Sequence, residues 1–94
     1  MTSPATDRAR VVIHGQVQGV FFRDACSEEA ASRGVSGWVR NTAEDTVEAV
    51  FEGDADAVAH MVEWCHSGPP RAHVTDVDLH PEEPDGLTDF SVRE

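Results

Sequence analysis

At 94 residues the chain has room for one domain with one modest core, which excludes a second domain. Eighteen acidic residues face seven basic ones, all of them arginine, for a formal charge of -11; such a field disfavours nucleic acid and anionic membranes as partners. No apolar run approaches the roughly 18 residues of a membrane span and residues 1–7 carry no signal-like apolar stretch. A cytoplasmic protein is therefore expected, its acidity serving solubility or adaptation to concentrated salt.

Residues 1–7 form a polar tail, and residues 8–94 read as a single domain. Val11, Val12 and Ile13 within 8–14 predict a buried strand ended by Gly15. From about 21 to 33, Phe22, Ala25, Cys26, Ala30 and Ala31 fall near helical spacing, and Gly34 supplies a stop. Residues 35–42 and 46–52 then read as two strands joined by a tight turn. In the second, Val47, Ala49 and Phe51 alternate with Glu48, Val50 and Glu52, as burial of one face requires.

A second helix follows, capped by Asp54 or Asp56, striped with Val58, Met61, Val62 and Cys65, and stopped by Gly68-Pro69-Pro70. Residues 71–80 alternate as a strand with one wet face. A proline-rich turn over 81–86 leads to 87–93, which has the length for an added edge strand. The order β-α-β-β-α-β predicts an α+β split plait: an antiparallel sheet with both helices on one face. In such a plait the ends of the first two strands open at the same sheet edge, so residues just after Ile13 become neighbours of Asn41.

Cys26 and Cys65 match no zinc or redox spacing, and each is expected to pack as a small hydrophobe. His14, His60, His66, His73 and His80 include no helical i, i+4 pair, so solvent-facing histidines and no metal site are expected. Trp38 and Trp64 fall in strand and helix patterns that supply core positions.

Chemistry concentrates in the segment joining the first strand to the first helix. Between His14 and Phe22 there is no Ser, Thr, Asp or Asn to cap the helix, whose first turn leaves about four amides without partners. A glycine-bracketed loop running into an uncapped helix makes a concave nest of N–H donors that favours an anion. Arg23, in the first turn, has the planar fork to grip two oxygens of a phosphate-like group. A water-capped turn fits the glycines equally well, and Arg23 alone also fits a surface residue pairing with Ser27 or Glu28. The loop matches neither a Walker A nor a dinucleotide fingerprint.

Gly15-Gln16-Val17-Gln18-Gly19-Val20-Phe21-Phe22-Arg23, followed 14 residues after Arg23 by Gly37-Trp38-Val39-Arg40-Asn41, resembles the paired signature of the acylphosphatases. The resemblance implies a ferredoxin-like fold and hydrolysis of the carboxyl–phosphate bond of small acyl phosphates, without metal or organic cofactor. Its partner would be the small acyl phosphate alone, met by a monomer. Carried over by motif position, Arg23 and the backbone amides of Gln18, Gly19, Val20, Phe21 and Phe22 would hold the phosphoryl group, and Asn41 would orient the attacking water.

General chemistry agrees with those roles. An acyl phosphate has a good leaving group, so a protein chiefly positions water and stabilises phosphoryl charge. A carboxamide both accepts from and donates to water without titrating. Where the family has Gly four residues after the Asn, this chain has Asp45, and Asp24 sets a carboxylate beside Arg23. A non-catalytic anion-binding or regulatory module of the same plait is the alternative, with the intact Asn41 against it.

Overall fold

The computed structural model describes residues 6–94. The elements run β1 (Thr6–Gln16), α1 (Phe22–Ser32), β2 (Ser36–Asn41), β3 (Val47–Asp54), α2 (Ala55–Cys65), β4 (His73–Glu82) and β5 (Phe90–Arg93). β1 thus begins at Thr6, before the Arg8 that apolar patterning marks, while residues 1–5 of the polar tail lie outside the described residues. Nor does it end at Gly15. The strand continues to Gln16 through an irregularity between His14 and Gly15, where β1 shifts register against β4. Gly15 has a φ of 124°, and a Cβ there would press into the backbone of His73 and Thr75.

The strand order is β4-β1-β3-β2-β5. β1 pairs antiparallel with both β3 and β4, and β2 pairs antiparallel with β3. These four strands form the expected antiparallel plait; the added edge strand β5 lies parallel to β2, which makes the five-stranded sheet mixed. The cause is the connection: β4 and β5 sit at opposite edges, and residues 83–89 carry the chain across the sheet before β5 begins.

Alternation decides which side chains meet the helices. Ala9, Val11 and Ile13 of β1, Val39 of β2, and Val47, Ala49 and Phe51 of β3 form one buried cluster with Phe22, Cys26 and Ala30 of α1 and Val58, Met61 and Cys65 of α2. This is the predicted split plait, with its core between sheet and helices. Both cysteines are buried free thiols, and burial pushes both thiol pKa values up. Trp64 joins the core edge-on to Phe22, ring centroids 5.4 Å apart.

The other face of the sheet is polar but not bare. Arg8 pairs with Glu52 and Glu82, Arg10 with Glu48 and Glu82, and Arg40 with Glu48. Trp38 lies on this face and not in the expected core position, with the Arg93 guanidinium 4.7 Å and the Arg40 guanidinium 5.9 Å from its ring centroid. β3 is therefore buried on both faces in its middle: Val50 is fully buried, and Glu52 is only 3% exposed. Glu52 accepts from the amides of Asp85, Gly86 and Leu87 at 2.8–2.9 Å and from Arg8 at 3.2 Å, fastening the crossing segment to the central strand. Burial pushes its pKa up, but those four donors outweigh it and hold the carboxyl below its ordinary range.

β4 is more exposed than a strand with one wet face, Leu79 being half in solvent. It extends to Glu82 through Pro81, which an edge strand tolerates because one side of its ladder has no partner. α2 starts as its sequence dictates, Asp54 accepting from the Asp56 amide at 3.2 Å. α1 stops at Gly34 in a Schellman arrangement: the Val35 amide bonds Ala30 O and the Gly34 amide bonds Ala31 O. Among the described residues no helix is long and apolar enough to cross a membrane.

Candidate active site

Residues 17–21 turn from β1 into α1 between two anchors. Val17 is 1% and Phe22 2% exposed, so the loop is pinned in the core at both ends while Gly19 and Phe21 face solvent. Gly19 and Phe21 both take left-handed backbone, with φ of 74° and 64°. Such residues curl successive amides toward a common point, which is the geometry of an anion nest. Phe21 is the N-cap of α1 and no side chain caps it. Its carbonyl accepts the Ala25 amide at 3.1 Å, leaving the first-turn amides of Phe22, Arg23 and Asp24 without intrahelical partners.

That helix start opens on a pocket of about 310 Å³ lined by Val17, Gly19, Phe21, Phe22, Arg23, Asp24 and Asn41. Five of the seven residues singled out from sequence, Gly19, Phe21, Phe22, Arg23 and Asn41, therefore share one cavity. Gln18 and Val20 instead line a neighbouring depression with Gly15, Gln16 and Asp45. Gln18 still reaches the site, but by its side chain: Nε2 donates to the carbonyls of both Thr42 and Thr46 at 2.9 Å. It ties the nest to the turn that follows Asn41.

That turn is well bonded. Thr42 N donates to Thr46 O at 2.9 Å and their hydroxyls lie 2.6 Å apart, while the Thr42 hydroxyl also accepts from the Glu44 and Thr46 amides. Asp45 adopts φ 66°, the left-handed conformation that glycine takes most easily. The turn therefore keeps a glycine-like backbone despite the substitution.

Arg23 makes neither of the surface pairs open to it from sequence. Its Nη1 donates to the Arg93 carbonyl at 3.1 Å. Because β5 pairs in parallel with β2, Arg93 lies opposite Arg40, next to Asn41. The last strand therefore holds the Arg23 guanidinium at the same sheet edge as the Asn41 carboxamide. Asn41 is half-buried, on the helix side of β2, and among the described residues nothing bonds its side chain. It is free to engage a ligand or water.

Three contributors escaped sequence reading: the Gln18 side chain, the Thr42–Thr46 pair and the Arg93 carbonyl. The two threonines four residues apart across a turn are a visible signal for the second; the carbonyl leaves no mark in sequence. Of the histidines, His66, His73 and His80 are exposed, while His14 and His60 are half-buried partners of Asp78 and Glu29. Among the described residues no group of three or more His, Cys, Asp or Glu side chains is placed to hold a metal.

The acylphosphatase family model matches residues 9–92. The chain is 56% identical to the acylphosphatase of Rubrobacter xylanophilus over 90 residues, covering 94% of this chain and 81% of that one. It is 48% identical to the acylphosphatase of Haloquadratum walsbyi, covering 97% of this chain and 98% of that one. Among solved structures, the Bacillus subtilis acylphosphatase superposes with a TM-score of 0.90 at 34% identity, over 94% of this chain and 99% of that one.

Proposed function

This chain belongs to the acylphosphatase family and is an enzyme that acts on acyl phosphates; we propose that it does so with Arg23 and the uncapped amides as phosphate holder and Asn41 as the group that aims the water. The phosphoryl oxygens sit in the nest formed by the amides of residues 18–22, completed by the guanidinium of Arg23. Water held by the Asn41 carboxamide attacks phosphorus in line. A P–O bond forms to the water oxygen as the P–O bond to the acyl oxygen breaks, and that bond's electron pair leaves on the carboxylate. Both water protons stay with the released phosphate, so no titrating base is needed.

What supports this most is the shared pocket: an uncapped helix start, Arg23 and Asn41, whose carboxamide has no partner among the described residues, line the same 310 Å³. Fixed donors aimed where phosphoryl charge gathers act without reorganisation, and holding water in line lowers the entropic part of the barrier. All these residues come from one copy of the chain, so the working unit is read as a monomer. Two buried, unpaired thiols suit a reducing cytoplasm.

The test uses benzoyl phosphate and inorganic phosphate as probes. Arg23→Ala should abolish phosphate affinity, because it removes the charged half of the holder. Asn41→Ala should spare much of that affinity and remove turnover. If both variants hydrolyse benzoyl phosphate at the wild-type rate, the roles are wrong. Tight phosphate binding by the wild-type chain without any turnover selects a non-catalytic anion-binding module instead.

A further inference from the structure

The seven arginines are unequally employed. Arg8, Arg10, Arg33 and Arg40 each pair with a glutamate. Among the described residues, Arg23, Arg71 and Arg93 have no carboxylate at ion-pair distance. Arg23 lies in the phosphate pocket and Arg93 rests on Trp38. Arg71 is exposed, in the segment between α2 and β4, and its guanidinium stands 5.9 Å from the centroid of the Phe21 ring, within cation–π range.

Phe21 is itself unusual on two counts. It is 65% exposed, and it holds a left-handed backbone at φ 64°, where a bulky residue is strained. The nest requires the left-handed backbone but not the ring, since glycine supplies that conformation at less cost. Phe21 nonetheless lines the pocket, with its side chain largely exposed. Its position also stations an uncompensated guanidinium beside a pocket that already contains Arg23, in a molecule of formal charge -11. Local charge within a Debye length of about 10 Å outweighs the screened field of the whole molecule.

We infer that Phe21 and Arg71 form a subsite for the acyl half of the substrate. The ring offers a flat apolar surface, and Arg71 selects acyl phosphates whose acyl group carries its own anionic group beyond the carbonyl. This rests on the hydrolysis proposed above and names the part of the substrate that the phosphate nest does not read. Arg71 is a specificity residue and takes no part in breaking the P–O bond.

The experiment compares 4-carboxybenzoyl phosphate with 4-methylbenzoyl phosphate, which match in shape and differ in charge. At low ionic strength the wild-type chain should favour the carboxylated substrate in kcat/KM by about three- to fivefold, the scale of an exposed ion pair. Arg71→Gln should bring that ratio to one or below, chiefly through KM, and Arg71→Glu should invert it. Added KCl should erase the wild-type preference, which a purely structural role for Arg71 would not explain. Phe21→Leu should lower kcat/KM for both aromatic substrates. A wild-type ratio of one at low salt, or a ratio unmoved by Arg71→Gln, overturns the subsite while leaving the hydrolysis proposal intact. Failure of the wild-type chain to hydrolyse either substrate sinks the hydrolysis proposal and the subsite with it.

Discussion

Replacing Gln18 by alanine should slow turnover more than it weakens phosphate binding. The side chain donates from Nε2 to Thr42 O and Thr46 O. At about 1 kcal/mol net per neutral hydrogen bond, losing both costs about 2 kcal/mol of stability. For a chain of this length that is a fall in Tm of roughly 8–16 °C. The functional loss has a different origin. Gln18 is the tie between the amide nest and the turn after Asn41, and a shift of about 1 Å between water and phosphorus costs up to about 100-fold in rate. Phosphate affinity should survive, because Arg23 is held by Arg93 O and not by Gln18.

The assay is kcat on benzoyl phosphate at a temperature well below both melting points, with phosphate affinity measured alongside. Gln18→Glu is the sharper variant, since it keeps the shape but sets an acceptor against two carbonyls. A melting temperature lowered as expected with kcat unchanged would reduce Gln18 to a structural brace. Wild-type stability and wild-type rate together would refute the reasoning altogether.

Glu52→Gln should destabilise the chain by about 2–4 kcal/mol, because a carboxamide cannot accept from three amides and an arginine at once; denaturant titration measures it. The folded pKa of Glu52 is depressed, so its contribution is present above the unfolded value of about 4.3 and is lost as pH falls through the lower folded value. Glu82, held down by hydrogen bonds from Arg8 and Arg10, adds to the same acid limb. The variant's Tm should therefore fall less steeply than wild type below about pH 4, and parallel curves would contradict the assignment. Gly15→Ala should cost about 2–6 kcal/mol, combining backbone strain with a Cβ driven into the β4 backbone; a melt within a few degrees of wild type would show that the bulge relaxes freely.

Much of this was legible in the residues. The uncapped run before Arg23, the glycines beside it and the strand over 35–42 pointed to the pocket where Arg23 and Asn41 meet, because backbone need and side-chain chemistry coincide there. The fold order was legible from period and punctuation. What escaped depends on contacts between distant segments. Trp38 reads as a core residue by type, yet its parity in β2 places it on the face with Arg40 and Arg93. Glu52 reads as a solvated strand position, and contacts with Arg8 and the crossing segment 83–89 bury it. The direction of the added strand was not legible for the same reason: β5 runs parallel to β2 because of where that crossing ends, which no local pattern encodes. Asp45 shows the converse: a residue type that departs from the family motif nevertheless takes a left-handed backbone, which glycine adopts most easily.

The place of β1 inside the sheet has a cost in time. Arg8 must find Glu52 across 44 residues and Glu82 across 74, so folding depends on long loop closures and belongs to the slower range of small domains. During synthesis at about 5–20 residues per second, the segment reaching from Arg8 to Glu82 takes roughly 4–15 s to emerge. Until β3 emerges the nascent strand has both ladder edges unsatisfied, and until β4 follows one edge stays open. A surplus of carboxylates on every copy keeps such unfinished molecules apart while they wait for their partners.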